Sequence, residues 1–284
     1  MAGALPNLST LTLNPHSAIA EDALDGVYCL DSIADLKDCK SSIVVVRNAV
    51  PFTPQETKEL EEFMSDESKV RKTKTQYGTH LLRRQATFGA AYDFGQENTI
   101  VPYPVDGWPA AVQTALRVAR AMVGQLGVDP ALYNAVHANW YPSGNAGVDA
   151  HSDKESEMVA GNPIVSFTLL AGDVVPRNFS ILRKANASEV ESQRADFERK
   201  RDERYGKLVQ KAAEAGKPPP PPPKTPFSAQ PVLLHNIRLG HGDVLIMQGD
   251  MQKSYLHAIA KDARKALADA RRLNLTVRAF KTTA

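Results

Sequence analysis

The sequence predicts an α+β protein whose body is a β-barrel or jelly roll, and three observations carry that reading. Helical patterns come early in the chain, six short β-like runs follow them, and Gly, Pro, Asn and Asp punctuate the intervals. The 284 residues are 43% hydrophobic and 23% charged, which suits a sizeable buried core and excludes wholesale disorder or a fibrous repeat.

Residues 1–41 are rich in Ser, Leu, Asn and Asp with weak periodicity and read as a loosely ordered leader. The run Ser42-Ile43-Val44-Val45-Val46 is a β-branched strand, and Pro51-Phe52-Thr53-Pro54 turns the chain into a helix over 55–64. Residues 108–126 form a second amphipathic helix on the spacing of Val112, Leu116, Ala119, Met122 and Val123, closed by Gly124 and Gly127. The β-like runs then lie at 133–141, 163–170, 178–182, 232–237, 243–247 and 273–280. Between the third and fourth, residues 186–230 break the rhythm and read as an insertion. Ser188-Glu189-Val190-Glu191 resembles a capping box, a mostly solvated helix follows, and Pro218 to Pro223 form a stiff polyproline II spacer. That spacer is also a docking site for a proline-motif-binding partner through 218–223, if it is anything more than a spacer.

Charge and cysteine narrow the setting. Lys+Arg 34 against Asp+Glu 32 gives a net charge of +2, so no global field advertises nucleic acid or membrane, and any basic surface is local. Such a patch lies at 69–84, where Lys69, Arg71, Lys72, Lys74, Arg83 and Arg84 occur without an acidic residue. Cys29 and Cys39 are too few for a disulfide framework, and no stretch approaches the ~18 apolar residues of a membrane span. With no basic residue before Lys37, the leader does not read as a signal or transit peptide. The expectation is an intracellular protein, nuclear or cytoplasmic, monomeric and away from membranes.

The chemistry begins at His151-Ser152-Asp153, where an imidazole and a carboxylate two residues apart share one side of an extended strand and can ligate one metal ion. His257 sits in the apolar frame Tyr255-Leu256-His257-Ala258-Ile259, either as a hydrogen-bonded core histidine or as a third ligand. Two histidines and one carboxylate make the facial triad of non-haem Fe(II) oxygenases, and the same three also suit zinc. In Arg272-Leu273-Asn274-Leu275-Thr276-Val277-Arg278, alternation puts Arg272, Asn274, Thr276 and Arg278 on one side and the aliphatic residues on the core side. An ordinary amphipathic edge strand has this pattern too. If the polar side is buried, its two guanidinium groups need an anion, and a dicarboxylate such as 2-oxoglutarate meets that need.

At these residues the sequence resembles the AlkB-type Fe(II)/2-oxoglutarate-dependent nucleic-acid dealkylases, particularly the branch acting on double-stranded DNA. The shared marks are Asn139-Trp140-Tyr141 followed by Gly144, then His151-Ser152-Asp153, His257 and the Arg-x-Asn-x-Thr-x-Arg ending. The resemblance covers most of 42–284, outside the insertion at about 186–230. It implies a double-stranded β-helix (jelly-roll) core with N-terminal helices and a nucleotide-recognition lid at about 69–100. It implies that His151, Asp153 and His257 bind Fe(II) and form the catalytic centre, while Asn139, Tyr141, Arg272, Asn274, Thr276 and Arg278 surround 2-oxoglutarate. Arg272 would take the distal carboxylate. By the same carry-over Tyr77 and Gly78, Arg84, Tyr92, Phe94 and Glu155 contact substrate, with Phe94 or Tyr92 stacking on a flipped base and Tyr77 filling the vacated space. Lys154 departs from the acidic residue that DNA-branch members carry after the aspartate ligand.

The resemblance therefore implies a dioxygenase that uses O2 and 2-oxoglutarate to remove N-alkyl groups from nucleobases in DNA or RNA, DNA the more expected, and releases formaldehyde. The alternative substrate class is a protein side chain or a small molecule. A third reading is a nucleic-acid-binding or scaffolding protein with a structural metal, recruited through its proline run.

Overall fold

The β-branched run near residue 43 reads as continuous rather than alternating because both of its faces are covered. In the computed structural model, Val44 and Val46 pack among the helices, whereas Ile43 and Val45 face a second sheet. The structure describes residues 7–11, 13–14, 25–30, 40–70, 79–90, 92–93, 99–100, 103–153, 155–172, 174–262 and 271–281.

Fourteen strands and four helices appear in chain order among the described residues. They are β1 (Leu13–Asn14), β2 (Gly26–Cys29), β3 (Ser41–Val46), α1 (Pro54–Ser65), β4 (Arg84–Gly89), β5 (Tyr92–Asp93), β6 (Thr99–Ile100) and α2 (Ala110–Gln125). There follow β7 (Ala135–Tyr141), β8 (Val148–His151), β9 (Ile164–Leu170), β10 (Arg177–Arg183), α3 (Ala187–Glu214), β11 (Val232–Leu239), β12 (Val244–Gly249), α4 (Met251–Ser254), β13 (Tyr255–Ile259) and β14 (Arg272–Arg278). A major sheet runs β1-β2-β3-β12-β9-β14-β7-β4, and a minor sheet runs β11-β10-β13-β8. All pairings in the two sheets are antiparallel except that of β1 with β2. The two sheets face each other as a double-stranded β-helix, with α1 and α2 on the outer face of the major sheet.

Two cores follow from this layering. The outer one joins α1 and α2 to the major sheet through Leu60, Met64, Val112, Met122, Phe88, Phe167, Leu273, Leu275 and Val277. The inner one lies between the sheets, where Tyr141, Phe179, Ile181, Ile237, Leu245 and Met247 meet. Helix α1 starts at a complete capping box: Thr53 accepts from the Glu56 amide and Glu56 accepts from the Thr53 amide.

Two sequence expectations are corrected, those for the leader and for the cap of α3. The leader is not wholly loose, since β2 pairs with β3 and Leu8 is buried while its amide donates to Gln125 Oε1 at 2.8 Å. Cys29 at the end of β2 is disulfide-bonded, which leaves the expectation of no disulfide framework as it was. The cap of α3 is Asn186 rather than Ser188: Asn186 Oδ1 accepts from the Glu189 amide and Glu189 Oε2 accepts from the Asn186 amide, both at 2.9 Å. Glu189 is preferred there because it also receives a two-pronged ion pair from Arg183 at 2.6 Å. No helix among the described residues is long and apolar enough to cross a membrane.

Candidate metal centre

Register brings the ligand candidates together. β8 and β13 are neighbours in the minor sheet with His151 opposite His257, and Asp153 follows β8 by two residues. The side chains of His151, Asp153 and His257 offer ligand atoms that all lie within 4.8 Å of one another. Phe179 on β10 stacks on the His257 ring at 5.4 Å and 13°, and the two imidazoles stand 4.3 Å apart between centroids. Gln252 Oε1 accepts from the Asp153 amide at 2.9 Å and holds the turn that carries the carboxylate.

The donor set is prepared for a cation. His151 Nδ1 lies 2.8 Å from Asp149 O, a contact that requires the proton on Nδ1 and leaves Nε2 as a lone-pair donor. His257 Nδ1 is buried without a hydrogen-bond partner, an orphaned polar atom that a ligation site explains. Burial, then the neighbouring His151, pushes the His257 imidazole down to about 3, and burial likewise lowers His151, so both rings are neutral at pH 7. Burial alone would raise the Asp153 carboxyl, but Arg278, then His257 and His151, outweigh it and hold the group well below the usual carboxylate range. Arg278 donates from Nη2 at 2.7 Å and Nε at 3.1 Å, both to Asp153 Oδ2, and Oδ1 receives no hydrogen bond among the described residues. Two neutral imidazoles and one carboxylate oxygen are thus what the site presents to a metal ion.

The opposite wall is β14. Arg272, Asn274, Thr276 and Arg278 are buried and line a cavity of about 120 Å³ with His151, Asp153, His257, Asn139 and Tyr141. Asn274 and Thr276 are engaged in holding the wall: Thr276 Oγ1 donates to Asn274 Oδ1 at 2.9 Å, and Asn274 Nδ2 donates to Ser166 Oγ and Phe167 O at 2.8 Å. Arg272 is different. It is 2% exposed and spends only Nη2, on Thr168 Oγ1 at 3.0 Å, while Nε and Nη1 have no hydrogen-bond partner. Burial lowers its guanidinium to about 10, so it stays cationic at pH 7. Tyr141 lies between Arg177 and Arg272, whose guanidinium carbons stand 5.5 and 5.4 Å from its ring centre. A buried cation with two idle donors asks for an anion, and a small dicarboxylate fits.

The predicted substrate residues are placed less uniformly. Arg84 turns away from the cavity: it is buried on the helix side of β4, donating to Ser65 O at 2.6 Å, pairing with Glu67 at 2.9 Å and lying over Trp140. The strand period is the reason, because Arg84, Ala86 and Phe88 share the outer face while Gln85 and Thr87 point inward. Arg83 takes the place expected for Arg84, donating to Asn139 Oδ1 at 2.7 Å within the cavity wall. Within the expected lid, residues Arg84–Gly89 form β4, an edge strand of the major sheet. Tyr77, Gly78 and Phe94 lie outside the described residues, as do the side chains of Tyr92 in β5 and Glu155.

Sequence reasoning missed Gln85, His137, Phe179 and Gln252. His137 is buried with Gln85 Nε2 3.2 Å from its Nε2 and Thr87 Oγ1 3.2 Å from its Nδ1. Its alternation with Asn139 and Tyr141 on β7 is the signal that could have found it. A larger groove of about 800 Å³ between α1, Trp140 and His241 contains no cluster of ligating residues among those described. Chemistry rather than volume therefore selects the small cavity.

Residues 42–278 match the model of the 2OG-Fe(II) oxygenase superfamily. No curated protein matches the sequence significantly. Similar solved structures include OsALKBH1, with 14% identity and a TM-score of 0.42 over 83% of this chain and 96% of that one. Another is a prolyl hydroxylase from Trichoplax adhaerens in complex with a hypoxia inducible factor oxygen degradation domain peptide fragment, with 10% identity and a TM-score of 0.41 over 84% and 83%. A third is a Pseudomonas putida prolyl-4-hydroxylase, with 12% identity and a TM-score of 0.40 over 84% and 92%. None of these three likenesses bears on the substrate.

Proposed function

From the premise that this chain belongs to the 2OG-Fe(II) oxygenase superfamily, we propose that it removes N-alkyl groups from nucleobases, with His151, Asp153 and His257 holding Fe(II). The observation that carries the cosubstrate assignment is Arg272, buried on the wall opposite the three ligands with two N–H groups idle. Bound Fe(II), with 2-oxoglutarate and O2, supplies the oxidising power, yielding succinate and CO2 and one oxygen atom for the substrate carbon.

The chain's own residues prepare that chemistry. Arg272 anchors the distal carboxylate of 2-oxoglutarate, and Tyr141 braces the guanidinium against which it rests. Asn274 holds β14 to β9 through Ser166 and Phe167, and Thr276 steadies Asn274, so the anchor does not drift. Arg278 fixes Asp153 through one oxygen and leaves the other for the metal, while Gln252 sets its backbone. The buried, aliphatic-backed cavity excludes bulk water from the reacting atoms.

Support for a nucleobase substrate comes from the concerted pattern of Asn139-Trp140-Tyr141, the His-x-Asp pair, His257 and the Arg-x-Asn-x-Thr-x-Arg strand, together with the basic segment at 69–84. Arg83, at the cavity wall, belongs to that segment. The test is incubation with and without O2 on methylated single- and double-stranded DNA and RNA, with repaired base read by mass spectrometry. Iron- and 2-oxoglutarate-dependent repair of one of these is expected. Succinate formation driven only by a peptide or small molecule would replace the nucleic-acid reading with the alternative substrate class.

A further inference from the structure

The insertion between β10 and β11 is a built arm rather than a loose spacer. Helix α3 spans 28 residues, about 42 Å at 1.5 Å per residue, and has no buried residue. It ends at Gly216, whose φ of 63° reverses the chain, and the proline run then returns along the helix. Three contacts staple the two arms. Tyr205 donates to Pro220 O at 2.9 Å, Phe197 meets Phe227 at 5.7 Å, and the side chain of Gln193 bonds both the amide and the carbonyl of Gln230.

The root of this arm lies beside the metal centre. Arg183, the last residue of β10, is opposite Tyr255, two residues before His257, and is also opposite Val232, the first residue of β11. This is the end of the minor sheet toward which the chain leaves His151 for Asp153.

Charge is sorted along the arm. Near the root most cations are paired: Arg183 with Glu189, Arg199 with Asp196 and Glu203, Lys200 with Asp196, and Arg201 with Asp202, while Arg194 lies over the Phe227 ring. Arg204, Lys207, Lys211 and Lys217 toward the tip, and Lys224 on the returning segment, are exposed and make no ion pair or hydrogen bond among the described residues, with Glu214 the lone carboxylate over 204–224. Positions 204, 207 and 211 follow the i, i+3, i+7 spacing of one helix face. Lys217 and Lys224 bracket the prolines, so a rigid scaffold holds both sets of charges.

We propose that this hairpin is a nucleic-acid docking arm whose distal cations hold substrate phosphates while the target base is at the metal centre. The inference rests on the nucleobase reading above and adds to it a second, sequence-independent contact. Phosphate complementarity favours this occupant over a proline-reading domain, because one side of the run is already taken by Tyr205 and the exposed chemistry around it is cationic.

The test compares the full-length protein with a variant carrying K207E, K211E, K217E and K224E, and with a second carrying the four Lys→Arg changes. Affinity for a fluorescein-labelled duplex of about 30 base pairs is read by anisotropy across a salt series, beside turnover on a methylated pentanucleotide. The glutamate variant should bind the duplex at least about tenfold more weakly near 0.1 M salt, with a shallower salt slope, while pentanucleotide turnover stays unchanged and the arginine variant behaves as wild type. Unchanged duplex affinity with normal pentanucleotide turnover would overturn the docking arm and spare the nucleobase reading. So would retention of a proline-binding domain with no effect of charge reversal on duplex affinity. Absence of both duplex binding and pentanucleotide turnover in the wild type would overturn the two together.

Discussion

Arg278 and Asp153 form a buried ion pair, 6% and 4% exposed at their side chains, in which the guanidinium covers one carboxylate oxygen at 2.7 Å. The pair spans the space between the major sheet and the turn after β8, so one contact both closes the sheets and aims the carboxylate.

Arg278→Ala should destabilise the metal-free protein by about 3–5 kcal/mol, since it leaves a buried carboxylate unpaired. It should also weaken Fe(II) binding about 10- to 100-fold through the loss of an orienting partner. Chemical denaturation and metal titration check the two separately; full stability with full affinity would mean that Asp153 is solvated in solution.

Arg272→Ala should raise the 2-oxoglutarate requirement by about two orders of magnitude, because two charge-assisted hydrogen bonds to a carboxylate vanish. Fe(II) affinity should hold, since Arg272 is not among the three clustered candidate ligands. A KM for 2-oxoglutarate that does not move would place the cosubstrate elsewhere.

His137 supplies a pH dependence in the same direction as those of the lowered His151 and His257, and its replacement isolates its own share. Burial, followed by the charges of Arg278 and Arg83, holds its imidazole well below the ordinary 6.5. The native state keeps it neutral, while the unfolded state takes up a proton as pH falls below about 6.5, so its contribution to stability is present above that value and lost below it. Replacing His137 with Asn should flatten the acid limb of stability against pH by at most about 1.4 kcal/mol per pH unit. Identical limbs for the two proteins would show that the ring titrates normally.

Arg84→Ala is expected to cost about 1–3 kcal/mol of stability through its lost bonds to Ser65 and Glu67. The KM for methylated substrate should not change. A selective rise in that KM, with stability intact, would return Arg84 to the substrate side.

Much of the fold is legible in the sequence because its signals are local. Runs of β-branched residues on β3 and β9, the spacing of Val112, Met122 and Val123 on α2, and the polar–aliphatic alternation of β14 each reflect burial on defined faces. Strand β4 falls in the segment for which the family resemblance implies a lid, and its own sequence of one arginine and one phenylalanine does not distinguish a lid from a core strand. Only pairing with β7 shows that Phe88 belongs to the core. Strands β8 and β13, of four and five residues, are too short for a decisive period, and their pairing is not a local signal.

By itself the sequence determined which residue types are present for the chemistry: a His-x-Asp pair, a histidine in an apolar frame and a strand with arginine at both ends. It also determined, through period two, that Arg272 and Arg278 share a face. Tertiary structure alone decided that His257 stands opposite His151 across 106 residues of chain, that Arg278 pairs with Asp153 while Arg272 keeps two donors idle, and that Arg83 rather than Arg84 reaches the cavity. The physical reason is that side-chain direction along a strand is a local property of the backbone. Which strand lies opposite, and in what register, depends on how distant segments bury their apolar faces together.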